Sequence, residues 1–339
     1  MTLITYPTRV HFADHVLEEA LHSEMERVGC KHPLLVADRE VLASELFDRV
    51  QNGLPNRTKA DVLSFGAEDK LSEIARAAAE SVKFVDVIVA FGSAPAVELG
   101  RKFRHLQSSK TGTRVPLFAI PSVDGLPNPC TGNIESWRSG LPTVLICDPT
   151  VAMLAGHKAS LRSSILSLVR CVESYLSAAY NPLADGIALE GVSRCLINLP
   201  KIGQGQDITL QRELMAAGLN AALAQENGVG PALKMATALA ETAENSDEVA
   251  IARLVLPAVI GASTMDADKA SVLGKVIGDE SGRLDQAMRK ILSNIPLPES
   301  LADMGIPRAA LDDVAMNASG LTYDHALDAL KSIYESVEQ

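Results

Sequence analysis

The residues best placed to do chemistry in this chain sit where short apolar runs end. Asp38 closes the run PLLVAD, and Gly92-Ser93-Ala94-Pro95 follows DVIVAF. A dinucleotide site needs such features. Glycine lets the backbone approach a pyrophosphate, and the N–H groups of the next helix hold the anion. A carboxylate at an earlier strand end accepts the ribose hydroxyls and disfavours a 2′-phosphate. Each feature also has a plain reading. An Asp at a strand end serves as a turn residue or helix N-cap, and the glycine turn serves as an ordinary strand–turn–helix. Pro95 suits a first helical turn but removes one anion donor. A third segment, Pro121-Ser122-Val123-Asp124-Gly125-Leu126-Pro127-Asn128-Pro129, carries one hydroxyl at Ser122 and the negative charge of Asp124, and its prolines make it read first as a rigid structural loop.

Other chemistries find little support. No G-x-S-x-G, HExxH or Walker sequence occurs. The five cysteines include no CxxC pair, which argues against a zinc site or disulfide framework and for a reducing, cytoplasmic setting. Cys171 beside Arg170 is either a thiol of depressed pKa or a small core residue. After residue 150 the only histidines are His157 and His325. A net charge of −11 excludes a basic nucleic-acid surface. No apolar run approaches the roughly 18 residues of a membrane span, and no signal peptide opens the chain.

The elements that must position these residues fall into two parts. The first ~150 residues alternate strand and helix, as an open α/β sheet does. Strands are expected at 33–38, 60–65, 86–92, 115–122 and 143–149, with helices between them. The stretch DGLPNPCTGNIESWRSGLP reads as loop plus a short hairpin. From His157 onward amphipathic helices dominate. SLRSSILSLVRCVESYLSAAY carries Leu161, Ile165, Leu168, Val172 and Tyr175 on one stripe, and Asn181-Pro182 breaks it. Further helices are expected near 183–198, 207–226, 231–243, 248–262, 266–278, 282–294, 308–317 and 322–337. The division is an α/β domain over 1–152 and an all-helical domain over 153–339.

Residues 168–190, LVRCVESYLSAAYNPLADGIALE, resemble the first helix pair of the helical domain of the iron-containing alcohol dehydrogenases. That family writes D-A-L-x-H-A-I-E-A-Y and then N-P-L-A-D. Glu173, Tyr175, Asn181, Pro182 and Asp185 match it. The opening segment through Asp38 is similar to the family's edge hairpin and first strand. LPESLADMGIPRAALDDVAMNA is similar to its closing helices. Glu98-Leu99-Gly100-Arg101 resembles the GLGK of the maleylacetate reductase branch. The implied architecture is a Rossmann-like dinucleotide-binding domain plus an all-α domain, as in dehydroquinate synthase-like folds, with the active site in the cleft between them.

The resemblance also implies a site. At the family's four metal ligands this chain carries Leu166, Arg170, Leu233 and Glu248, and at a further active-site histidine it carries Thr237. No metal is therefore expected. A buried guanidinium at Arg170 needs an anion, with Glu248 the first internal partner expected and Glu173 or a substrate carboxylate as alternatives. Lys234 is either a second cleft cation or an exposed helix lysine. The implied function is metal-independent, NAD(H)-linked reduction or oxidation of a small carbonyl or oxo-acid. Arg170, Glu248 and Thr237 would be the catalytic set. Asp38, Gly92, Ser93, Ala94 and Ser122 would hold the cofactor. The alternative is a diverged small-anion binder, non-redox enzyme or non-catalytic partner on the same shell. The family commonly forms homodimers through its N-terminal edge strands.

Overall fold

The structure, a computed structural model, describes residues 8–122 and 140–335 other than 206, 245 and 280. Six strands form one sheet: β1 (Arg9–Phe12), β2 (Pro33–Asp38), β3 (Asp61–Phe65), β4 (Val87–Gly92), β5 (Leu117–Pro121) and β6 (Val144–Cys147). Their order is β1-β6-β5-β4-β2-β3, and every pairing is parallel. A parallel sheet is covered on both faces, so its inner strands are continuously apolar. Here β4, β5 and β6 are buried throughout, while the edge strands β1 and β3 are partly exposed.

Helices α1 (Leu17–Val28) and α2 (Glu45–Asn52) cover one face, and α3 (Leu71–Ser81) and α4 (Ala94–Thr111) the other. Alternation along β4 divides it between them. Ile88 and Ala90 join Ala75, Val97 and Phe103, whereas Val89 and Phe91 join Leu21, Met25 and Leu46. The chain leaves β2 toward β3 and leaves β4 toward β5, in opposite directions. The reversal opens a crevice beyond the carboxyl ends of β2 and β4, where open α/β sheets bind ligands.

After β6 come a short helix α5 (Pro149–Ala152) and then α6 (Gly156–Leu176), α7 (Pro182–Asn198), α8 (Ile208–Ala224), α9 (Pro231–Ala240), α10 (Glu248–Ala262), α11 (Ala267–Ile277), α12 (Leu284–Ser293), α13 (Ala310–Met316) and α14 (Tyr323–Lys331). Local chemistry sets several starts. Asn181, Asp207, Asp247, Asp266 and Thr322 each accept a backbone N–H of the helix they precede. The expected stripe on α6 is real: Ile165, Leu168, Val172 and Tyr175 lie in the helical core. Helix α8 also reaches outward. Its Met215 and Ala222 belong to the α3–α4 core of the sheet, and Arg212 pairs with Asp14.

Arg253 of α10 is 2% exposed and binds only carbonyls among the described residues. It donates to Leu292 O at 2.9 Å and Leu297 O at 3.2 Å, and to Pro298 O, fixing the turn after α12. Two sequence expectations need qualification. β1 is a parallel partner of β6, and a hairpin arm before it would fall in residues 1–7, outside the described residues. The loop and hairpin expected around 124–142 also fall almost wholly outside them.

Candidate functional site

Four of the five expected cofactor residues meet at the crevice. Asp38 ends β2 and Gly92 ends β4. The Ser93 hydroxyl donates to Asp38 Oδ1 at 2.7 Å and the Ser93 N–H to Oδ2 at 3.2 Å. Ser122 follows β5 and donates its N–H to Gly92 O at 2.8 Å. Asp38 is thus neither a turn residue nor a helix cap; its carboxylate spans the switch point. Gly92 has φ of 101°, and a Cβ there would lie 3.1 Å from Asp38 Oδ2 and 3.3 Å from Val41. The glycine is needed for both reasons. Ala94, the fifth, begins α4 with Pro95 behind it. Ser93 occupies the N-cap position but caps no N–H with its side chain. Pro95 has no N–H, and Ala96 N–H donates to Ser93 O at 3.1 Å, so at the start of α4 the Ala94 N–H remains to face the crevice end. Asp124, Gly125, Leu126 and Asn128 lie outside the described residues.

The second group comes from α6, α9 and α10. Leu166 packs against the helical core and Leu233 is fully buried within it. Arg170 is 3% exposed, so it is no solvent-facing rim residue. Its expected ion pair with Glu248 does not form. Glu248 makes no ion pair among the described residues, and its Oε1 instead lies 2.6 Å from the Thr237 hydroxyl. The reason is local. Asp247 caps α10 and pairs with Arg162, which anchors Glu248 at the start of α10 beside α9. Thr237, one turn after Leu233, then meets it. Lys234 is exposed and reaches Ser319. Burial drives the Cys171 thiol well up, so the core reading of this cysteine holds and the reactive one does not. His157 and His325 are both exposed.

Glu173, the alternative partner expected for Arg170, serves the backbone instead. It lies 7% exposed and accepts the N–H groups of Ala232 and Leu233, at the start of α9. Burial raises its carboxyl to about 7, against the lowering effect of those two N–H groups and of Lys234. A signal existed in the sequence. Helix α9 begins Gly230-Pro231, which offers no capping side chain, so its N–H groups must find an acceptor elsewhere.

Divalent-cation chemistry needs lone-pair donors, and of the four corresponding positions only Glu248 supplies them. Leu166 and Leu233 are hydrocarbon, and Arg170 is a cation. Among the described residues no group of three or more His, Cys, Asp or Glu could hold a metal. The residues present do not fit the metal that the resemblance implies.

A parallel sheet with a glycine-bearing switch-point crevice, joined to an all-helical half, defines a two-part dinucleotide-fold protein. Residues 7–139 match the iron-containing alcohol dehydrogenase family, and residues 161–329 match the C-terminal region of the Fe-containing alcohol dehydrogenase family. The chain belongs to the iron-containing alcohol dehydrogenase family. It is 24% identical to the 4-hydroxybutyrate dehydrogenase of Cupriavidus necator, over 96% of this chain and 94% of that protein. Its fold is similar to that of the sulfoacetaldehyde reductase from Bifidobacterium kashiwanohense in complex with NAD+, with a TM-score of 0.84, 15% identity and coverage of 99% and 100%. Maleylacetate reductase from Agrobacterium tumefaciens is also similar, with a TM-score of 0.77, 18% identity and coverage of 98% and 99%. No helix among the described residues is long and apolar enough to cross a membrane.

Proposed function

We propose that this chain is an NAD(H)-linked oxidoreductase acting on a small carbonyl or oxo-acid, without the family's metal. The observation that carries this reading is the Asp38–Gly92–Ser93 arrangement at the switch point. It keeps a carboxylate at the strand end and an open backbone at the glycine, which suits a dinucleotide with a free ribose 2′-hydroxyl. The family membership and the NAD+-bound fold relative support it. A bound nicotinamide would supply or accept the hydride.

The chain's own residues would do the rest. Asp38 would accept the adenosine ribose hydroxyls, and the start of α4 would face the diphosphate. Arg170, buried on α6, would hold a substrate carboxylate or the developing charge on a carbonyl oxygen through parallel N–H donors. The Thr237–Glu248 pair would hold a proton at the Thr237 hydroxyl. A homodimer joined along edge strand β1 and a cytoplasmic setting belong to the same proposal. The deciding experiment is titration of NADH and NADPH against the protein, followed by nicotinamide fluorescence. Saturable NADH binding is expected, and absence of binding by either nucleotide overturns the reading.

The second reading is a non-redox or small-anion-binding protein on the same shell. Pro95 favours it, because the proline removes an N–H from the turn that would hold a diphosphate. Anion binding without nucleotide binding is its signature.

A further inference from the structure

A cavity of about 350 Å³ opens in the helical half, between the end of α6, the start of α9 and the end of α10. Its size lies at the small end of the range of small-molecule sites. None of Asp38, Gly92, Ser93, Arg170, Thr237 or Glu248 lines it. Glu248 starts α10, whereas Val259 and Ile260 of the wall lie near its end, about 16–18 Å further along the helix axis. We propose that the cavity is a second ligand site, for a small primary amine that carries one ammonium head on a short aliphatic body.

The head group follows from the polar part of the wall. Glu173 is the one ionisable side chain among the described lining residues. It is 7% exposed and makes no ion pair among the described residues. Its Oε1 accepts the Ala232 N–H and its Oε2 the Leu233 N–H at 3.2 Å, which leaves a further lone pair on each oxygen. Those N–H groups carry no net charge, so the carboxylate has no counter-charge at close range. Lys234 acts on it only from a distance, and its ammonium turns to Ser319 Oγ at 2.9 Å. Gly228 and Gly230 bring no side chain to the wall beside the carboxylate. Burial raises its carboxyl to about 7, a cost that a cation in the cavity would offset.

A second acceptor belongs to the same wall. The Asn227 Nδ2 donates to Ser174 O at 3.1 Å and to Asp185 Oδ1 at 3.0 Å, which fixes the direction of the amide. Its Oδ1 is buried with no partner among the described residues. An unmet buried acceptor calls for a donor. An ammonium has three donors and no acceptor, and so matches a wall of this kind. A metal ion does not match it, because one carboxylate and one amide oxygen are too few ligands, and no group of three or more His, Cys, Asp or Glu exists among the described residues.

The body follows from the rest of the wall, which is aliphatic. Leu176 comes from α6, Val229 from the turn before α9, Leu256, Val259 and Ile260 from α10, and Met265 from the turn after it. An alkyl chain of about four to eight carbons suits such a space. Thr264, an exposed lining residue, marks the open side.

The test is calorimetric titration of the full chain at pH 8 with hexylammonium and with 1-hexanol, which share a body and differ in the head. It needs no nucleotide, so its outcome stands apart from the NADH titration. Hexylammonium should bind at least about tenfold more tightly than 1-hexanol. Glu173→Gln keeps the shape of the head-group wall and removes its charge. Hexylammonium affinity should then fall by about tenfold or more, to that of 1-hexanol. Thr264→Trp leaves Glu173 in place, obstructs the open side and should weaken both compounds, with the thermal midpoint unchanged. If Glu173→Gln does not fold, the comparison of the two heads and the Thr264→Trp variant still decide. No heat from hexylammonium up to about 10 mM overturns the proposal. So does equal affinity for the two compounds, unchanged hexylammonium affinity in folded Glu173→Gln, or binding that is lost in Asp38→Gly.

Discussion

The hydroxyl of Ser93 points at the carboxylate of Asp38, 2.7 Å away, instead of capping the helix that Ser93 begins. One bond thereby ties the ends of β2 and β4 across the place where the strand order reverses. It also fixes the direction of a carboxylate that would otherwise sample several rotamers. Ribose recognition by Asp38 would start from a pre-set geometry.

Removing that carboxylate should change nucleotide choice. In the unmodified protein NADH should bind more tightly than NADPH, because Asp38 repels a 2′-phosphate. Asp38→Gly should reduce the ratio of the two affinities by about tenfold. Fluorescence titration with both nucleotides checks this. Tighter NADPH binding by the unmodified protein refutes the role given to Asp38.

Arg170→Leu should abolish binding of small oxo-acids and leave the helical half folded. Leu suits the interior of α6 and removes a charge that is 3% exposed. Inhibition by oxamate-like acids, read alongside the thermal midpoint, separates the two effects. Retained acid binding with an unchanged midpoint would show that Arg170 has no ligand role.

Glu173 should make stability depend on pH in an unusual direction for a carboxylate. Its ordinary value is 4.5 and its folded value is about 7. Between these the folded state binds more protons than the unfolded one, so stability falls as pH rises through the window and levels off above it. The shift corresponds to about 3 kcal/mol. Denaturant unfolding at pH 5 and pH 8 should show a steeper loss in the unmodified protein than in Glu173→Gln. Parallel behaviour of the two would contradict the raised value.

Gly230→Ala tests the same contact from the other side. A Cβ at residue 230 would lie 2.4 Å from the Glu173 carboxyl carbon, and φ at Gly230 is an ordinary −76°. The cost is therefore steric, about 1–3 kcal/mol. A midpoint unchanged from the parent would mean that the α9 cap can shift freely.

Most of the fold could be read from the chain because the signals were local. Apolar runs gave β2 and β4, and the amphipathic pattern over 248–262 gave α10. The crevice residues were legible for the same reason, since strand ends and glycine turns keep their order in sequence. The packing of long side chains was not legible. Arg104 and Arg253 look like surface helix arginines, yet both are nearly fully buried against backbone carbonyls contributed from distant turns. Thr237 and Glu248 were each marked for the site, but their mutual bond depends on how α9 and α10 pack. The expected Arg170–Glu248 pair failed at that same step.

Helix α8 has a consequence for how the protein comes apart. Met215 and Ala222 lie in a core made mainly by the sheet and helices α3 and α4, and Arg212 grips Asp14 near its edge. Pulling the two halves away from each other must empty those sockets and expose apolar surface on both sides. The halves are therefore thermodynamically coupled, and a calorimetric scan should show one melting peak whose van't Hoff and calorimetric enthalpies agree. Any opening of the cleft must therefore either carry α8 with the sheet half or break these contacts.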